Sequence, residues 1–327
     1  MDIATSSSRR PHPAGAWLRL MRPHFAFLSL GAGLVGMASG ADRPTAAGIA
    51  VGIATCALGY GIGQVVNDYM DRAADAINAP DRPFVTGAVD PRNALVTVAL
   101  VLVLLGAAAL VFAPGVALWS LIALLGHGLY TLTKRVPLLG NLVNGPDVAV
   151  FTLIGAAAAA PSRSPLDVPL PVLVNAGILA LALTGLGLVS YFKDVPGDRA
   201  VGYRTIVVAL GPNRARWWAV PFPVAALTAA ASVGAMTPTS WGVPGPVPFV
   251  FWVLLAASAG GFAISLGRLF AAPQRNAYPA LLWQTRATVV LALALGSAVA
   301  PLLFTVLLLL LVPMELAFRA ATGSGQA

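Results

Sequence analysis

Asn67-Asp68-Tyr69-Met70-Asp71-Arg72-Ala73-Ala74-Asp75 closes a long apolar run that begins near residue 45. Asp68, Asp71 and Asp75 are spaced i, i+3, i+7, so a continuous helix places all three carboxylates on one face. Adjacent like charges repel one another unless a cation neutralises them. Oxygen ligands suit Mg2+, which binds through a few carboxylates together with substrate phosphates. The stretch therefore points to a metal–diphosphate site at the end of an apolar helix. The plain alternative is a solvated polar loop, and a second acidic cluster further along the chain argues against it.

The chain is 58% hydrophobic and only 10% charged, with a mean hydropathy of +0.82. A soluble protein of 327 residues needs far more polar surface than that. The composition implies an all-α polytopic membrane protein. A formal charge of +8 would suit a nucleic-acid partner, but the basic residues fall in the loops between apolar runs, so no nucleic acid is expected. Cys56, the single cysteine, lies inside an apolar run and reads as core packing.

Residues 1–15, rich in Ser, Arg and Pro, read as a disordered tail. Residues 16–315 read as one membrane domain, and 316–327 as a flexible C-terminal tail. Nine spans of ~17–25 residues, enough to cross a bilayer, are expected near 23–40, 45–67, 93–113, 115–133, 142–160, 170–191, 217–236, 247–270 and 287–313. Ala113-Pro114-Gly115 joins the third and fourth spans as a tight antiparallel pair. With the N-terminus in the cytoplasm, all Lys and Arg residues except Arg43, Arg163 and Arg319 fall on the cytoplasmic side. Both acidic clusters then open toward the cytoplasm.

The second cluster is Tyr191-Phe192-Lys193-Asp194-Val195-Pro196-Gly197-Asp198-Arg199, after the sixth span. Asp194 and Asp198 share a face if the helix persists, and Pro196 brings that into question. Arg72, Arg82, Lys134, Arg135, Lys193, Arg199 and Arg204 surround the two clusters in sequence. Such cations stabilise a bound diphosphate and its departure, although the positive-inside rule accounts for basic loops without any ligand. His127, Tyr130 and Lys134 are spaced i, i+3, i+7 and line one helical face. Asp147 lies within the fifth span. An intramembrane carboxylate faces a cavity or a partner, so Asp147 and His127 are candidates for the cavity or for contact with an acceptor. A structural hydrogen bond between helices is the alternative for Asp147. Trp217 and Trp218 read as interface anchors.

Taken together, these residues resemble the UbiA superfamily of intramembrane prenyltransferases. That family carries NDxxDxxxD after its second helix, matched by Asn67, Asp68, Asp71 and Asp75, with Asn78 and Asp81-Arg82-Pro83 following. Its second motif, DxxDxxxD, follows the sixth helix; Asp194 and Asp198 match the last two positions, and Gly202 and Thr205 fit the surroundings. Tyr130, Lys134-Arg135 and Gly140-Asn141 look like the segment between its fourth and fifth helices. Tyr191 stands where the family's first aspartate of the second motif is expected. The motifs look most like those of the chlorophyll synthase and archaeal lipid prenyltransferase branches.

The resemblance implies nine helices bundled around a central cavity, with the two motifs facing each other under a cytoplasmic cap. It implies Mg2+-dependent transfer of an isoprenoid group from a prenyl diphosphate to a lipophilic aromatic or alcohol acceptor. Asn67, Asp68, Asp71, Asp75, Asp194 and Asp198 would hold metal. Arg72, Tyr130, Lys134, Lys193 and Arg204 would bind the diphosphate. A terpene cyclase that needs no second substrate is the first alternative. A cation-coupled transporter is the second, disfavoured because the carboxylates lie at helix ends and not at the bilayer midplane.

Overall fold

The computed structural model describes residues 13–235 and 248–323. In chain order the helices are α1 (Pro13–Met21), α2 (Ala26–Gly40), α3 (Ala46–Met70), α4 (Arg72–Asn78), α5 (Pro91–Phe112), α6 (Pro114–Thr133), α7 (Leu139–Ala159) and α8 (Leu170–Ser190). They continue as α9 (Val195–Ala200), α10 (Ile206–Leu210), α11 (Pro212–Ala215), α12 (Pro221–Ala235), α13 (Phe249–Ala271), α14 (Ala277–Val299), α15 (Pro301–Leu307) and α16 (Leu311–Gly323). The described residues contain no strand, as expected of an all-α chain.

Local chemistry sets several of these boundaries. Asp90 caps α5 by accepting from the amide of Asn93 at 2.9 Å, and Pro91 follows at the first helical position, where its missing N–H is no loss. Thr45 caps α3 in the same way through Gly48. Pro114 opens α6 immediately after Ala113, giving the expected tight connection.

The bundle core is built on small residues. A Cβ on Gly36 would fall 1.8 Å from the carbonyl oxygen of Thr152, and one on Gly155 would fall 1.9 Å from that of Gly33. The backbones of α2 and α7 therefore touch, the close approach that glycine permits in membrane helices. Buried Cys56 sits at the same crossing, against Gly33 and Phe151. Helices α7, α8 and α14 are the most enclosed. On α5 and α6, Val103, Leu104, Leu125 and Leu132 stay largely exposed, an apolar rim that suits lipid and not water.

Nine helices among the described residues are long and apolar enough to cross a membrane, but they are not the expected nine. The expected last span, 287–313, is broken at Ala300-Pro301, because Pro301 cannot continue α14. Ala277–Val299 and Pro301–Ala321 are two separate stretches, each long and apolar enough to cross. The expected first span is shorter: α2 has 15 residues, preceded by a single turn at Pro23–Phe25. It nonetheless runs the depth of the bundle. Arg22 at its start reaches Asp68, and Gly40 at its end accepts from Arg163. The segment from 316, expected as a flexible tail, is helical through Gly323. It is held by Phe318, whose ring lies 5.7 Å from that of His24, and by Glu315, which pairs with Arg286 at 2.8 Å. Of the expected N-terminal tail, residues 13–15 belong to α1 and 1–12 lie outside the described residues.

Candidate active site

α3 delivers the first motif and α8 leads into the second. Asp71 interrupts the helix only nominally. Its amide bonds the carbonyl of Asn67, and the Asp75 amide bonds the carbonyl of Asp71, both at 2.8 Å. The i, i+4 bonding therefore runs from α3 into α4. In the second motif Pro196 does not disrupt the turn, because it sits in the first turn of α9, where its missing N–H is not needed. Asp198 donates its amide to the carbonyl of Asp194 at 3.0 Å, so those carboxylates do share a helical turn.

Asn78 fastens the motifs together. Its Nδ2 donates to the Asp194 carbonyl at 2.8 Å and its Oδ1 accepts from the Gly197 amide at 2.7 Å. A Cβ at position 197 would lie 2.4 Å from the carbonyl oxygen of Ala74, so only glycine allows α4 and α9 to meet there.

Beneath this clasp lies a cavity of about 620 Å³, within the range typical of small-molecule sites. Its mouth carries the carboxylates and cations, and its depth is walled by groups such as Leu105, Ala109, Phe151 and Ile154. Nearly every acidic group at the mouth leans on a base. Asp68 accepts from Arg22 at 2.5 Å and from Arg82 at 3.1 Å, and Arg82 also binds Asp75. Asp71 pairs with Lys134 at 2.5 Å and accepts from the Tyr203 hydroxyl at 3.3 Å. Asp194 pairs with Lys193 at 2.7 Å. Asp198, which is buried, and Asp81, which is exposed, are the exceptions, with no ion pair among the described residues.

Electrostatics follows this pairing. Burial, reinforced by the Asp194 charge, pushes Asp198 up to about 7. Burial raises Asp75 to about 6 despite Arg82. Burial also opposes ionisation of Asp194, but Lys193, Arg82 and Lys134 outweigh it and hold that carboxyl below its usual range. For Lys134, Asp71 and its neighbours outweigh the cost of burial and keep the ammonium charged.

Among the described residues no three His, Cys, Asp or Glu groups converge into a ready cage. The donor set still fits Mg2+, which takes one or two carboxylates and completes its shell with water and phosphate. Asn67 Oδ1 supplies a buried acceptor beside Asp68 that has no partner.

Most of the sequence-derived site residues meet at this mouth. Asn67, Asp68, Asp71, Asp75, Tyr130, Lys134, Lys193, Asp194 and Asp198 all line the cavity, and so do His127 and Asp147 deeper down. Arg72 and Arg204 do not. Arg72 is exposed and folds its guanidinium over the Tyr69 ring at 4.3 Å, and Arg204 is exposed near the start of α10. Arg22 and Arg82 stand in the cavity where Arg72 and Arg204 were expected. Arg22 was legible only as a charge before the first span, since contact between residues 22 and 68 is a tertiary fact. Tyr191 keeps a neutral phenol at the place of the missing aspartate. Burial raises it well above its ordinary range, and its hydroxyl lies 3.4 Å from that of Tyr130.

Residues 27–285 match the model of the UbiA prenyltransferase family. The chain belongs to the UbiA prenyltransferase family. Prenyl transfer, expected from the motifs, is thus its class of reaction, and a multi-pass membrane protein is its form. It is 33% identical over 261 residues to digeranylgeranylglyceryl phosphate synthase of Natronomonas pharaonis, covering 78% of this chain and 88% of that one. Its fold resembles a UbiA homologue from Aeropyrum pernix K1, with a TM-score of 0.65 at 21% identity, over 84% of this chain and 96% of the other. It also resembles a UbiA homologue from Archaeoglobus fulgidus bound to GPP and Mg2+, with a TM-score of 0.61 at 19% identity, over 86% and 99% of the two chains. The UbiA family match ends before α15 and α16.

Proposed function

We propose that this UbiA-family protein transfers an isoprenoid chain from a prenyl diphosphate, with Mg2+, to the hydroxyl of a lipophilic glycerol phosphate. One observation carries the reading: two aspartate motifs, clasped through Asn78, stand at the charged mouth of a cavity whose depth is apolar. A diphosphate belongs at such a mouth and its hydrocarbon tail in such a depth. The alcohol acceptor is favoured over an aromatic one by the relative from Natronomonas pharaonis, whose name describes a glyceryl phosphate bearing two geranylgeranyl groups.

Asn67, Asp68, Asp71, Asp75, Asp194 and Asp198 would hold Mg2+, which when bound neutralises the diphosphate and stabilises its departure as a Lewis acid. Arg22, Arg82, Lys134 and Lys193 grip the diphosphate oxygens with Tyr130 at the rim. These cations now neutralise the carboxylates directly. With substrate bound, these bases would turn to phosphate and leave the carboxylates free to hold the metal. The apolar wall keeps water from the allylic carbon as the C–O bond breaks, which protects the carbocation from hydrolysis. The N-terminus and both motifs face the cytoplasm, as the distribution of Lys and Arg implies.

The test is transfer by the purified protein in lipid nanodiscs, supplied with Mg2+, prenyl diphosphates of increasing length and a glycerol phosphate carrying one isoprenoid ether and a free hydroxyl. A product heavier by one prenyl unit, absent in Asp68→Ala, is the expected result. Diphosphate release with a cyclic hydrocarbon and no acceptor product would replace transfer with cyclisation.

A further inference from the structure

We propose that His127 is the base that takes the proton from the acceptor hydroxyl, with Asp147 as its positioning residue. This rests on the transfer reading above and assigns the other half of the reaction.

The two side chains reach the cavity from facing helices, α6 and α7, and lie outside both aspartate motifs. His127 Nδ1 and Asp147 Oδ2 are 3.4 Å apart. A carboxylate facing Nδ1 fixes the proton on that nitrogen and leaves the lone pair on Nε2. Nε2 is buried and has no hydrogen-bond partner, and Asp147 Oδ1 is in the same condition. Two unmet polar atoms within the apolar part of a membrane protein are costly. They are accounted for when a ligand brings a hydroxyl to them. Space has been left for the pair: a Cβ at Gly126 would lie 2.5 Å from Asp147 Oδ1.

The placement suits the reaction. Lys134, at the diphosphate end, and His127 are seven residues apart on one helical face, a rise of ~10 Å, with Tyr130 between them. The Tyr130 ring centroid is 4.9 Å from Lys134 Nζ and 5.8 Å from the His127 ring. The order down the helix is thus cation, aromatic face, base. It matches leaving group, allylic carbon, nucleophile, and the aromatic face can shield positive charge at that carbon. In the step, the bond between the allylic carbon and the diphosphate oxygen breaks with its electron pair leaving on diphosphate. The acceptor oxygen bonds that carbon, and its proton passes to His127 Nε2. Asp147 stabilises the resulting imidazolium, as the carboxylate does in other His–Asp pairs.

The test measures kcat and both KM values in nanodiscs with Mg2+, geranylgeranyl diphosphate and the glycerol-phosphate monoether. His127→Gln should lower kcat by at least ~100-fold, in line with general-base contributions, while KM for the donor moves by less than about threefold. Imidazole should restore turnover in His127→Ala. Asp147→Asn, which preserves size, should lower kcat ~10-fold or more and reports even if His127→Ala does not fold. The proposal is overturned by His127→Gln within about threefold of the unsubstituted kcat. It is equally overturned by a loss in His127→Ala that imidazole does not relieve and that donor KM shares. Failure of the unsubstituted protein to alkylate the monoether is a distinct result, which removes the alcohol-transfer reading and this inference with it.

Discussion

Asn78 holds Asp194 by its main chain: the amide of one side chain donates to the carbonyl of the other residue at 2.8 Å, while the same amide's oxygen takes the Gly197 N–H. The two halves of the site are therefore registered by a residue that carries no charge and binds no substrate in our reading. Asn78→Ala should leave both partners unsatisfied, a cost of roughly 1–3 kcal/mol for each buried group. Turnover should fall at least ~10-fold with a lowered unfolding temperature, while Asn78→Asp, which keeps only the acceptor, should fall between. Thermal unfolding and diphosphate release measured side by side check this; unchanged turnover in Asn78→Ala would refute a registering role.

The arginines divide sharply. Arg82 bridges Asp68 and Asp75 inside the cavity, whereas Arg72 lies outside on Tyr69. Arg82→Ala should leave buried Asp75 without its ion-pair partner and Asp68 with Arg22 alone, and cost at least ~100-fold in kcat/KM, since breaking a buried pair costs about 3–5 kcal/mol. Arg72→Ala should stay within about threefold of the unsubstituted protein, as exposed contacts are worth little. Steady-state assays of the two variants settle it, and an equal loss in both would contradict the placement of Arg72.

Asp75 and Asp198, raised to about 6 and about 7, give stability a sign. A carboxyl with a raised folded pKa keeps its proton in the native state after the unfolded chain has released it. The folded state then binds more protons between about pH 4 and 7, and stability falls as pH rises through that window. Asp194, held low, acts oppositely, contributing stability that is lost as pH falls below about 4. With metal chelated, the unfolding temperature should therefore drop between pH 5 and 8. Added Mg2+, by neutralising the ionised carboxylates, should raise it more at pH 8 than at pH 5. Scanning fluorimetry across pH with and without Mg2+ measures both, and equal Mg2+ shifts at the two pH values would count against these carboxylates as its site.

Pro301 splits the last apolar stretch, and α16 returns so that Phe318 meets His24 and Phe25. Arg319 thereby joins the end of the bundle that carries the motifs, leaving Arg43 and Arg163 at the other. The C-terminus should lie on the same side of the membrane as the N-terminus, whereas nine crossings would separate them. Reporter fusions at each end decide this: activity on opposite sides would mean that α15 and α16 do not recross.

The acidic motifs, the apolar runs and the flanking bases were legible in the sequence because each is a local pattern. Spacing alone placed Asp68, Asp71 and Asp75 at a helix end, and apolar length alone implied helices crossing a membrane. Family resemblance then supplied the facing of the two motifs. Two prolines had local consequences: Pro196, which the sequence left open, is harmless because it falls in a first turn, and Pro301, which the expected last span ran across, is decisive because it ends α14. What tertiary structure decided were the partnerships across the bundle. Arg22 reaches Asp68 from 46 residues away and Asn78 reaches Gly197 from 119. Arg72 opens α4 and folds outward onto Tyr69, whereas Arg82 lies in the turns after α4 and folds back onto Asp68 and Asp75. His127 and Asp147 were each visible as a polar residue in an apolar helix. That they meet, with two buried atoms left without a partner, depends on how α6 packs on α7, and side-chain pairing between helices leaves no periodic trace in the chain.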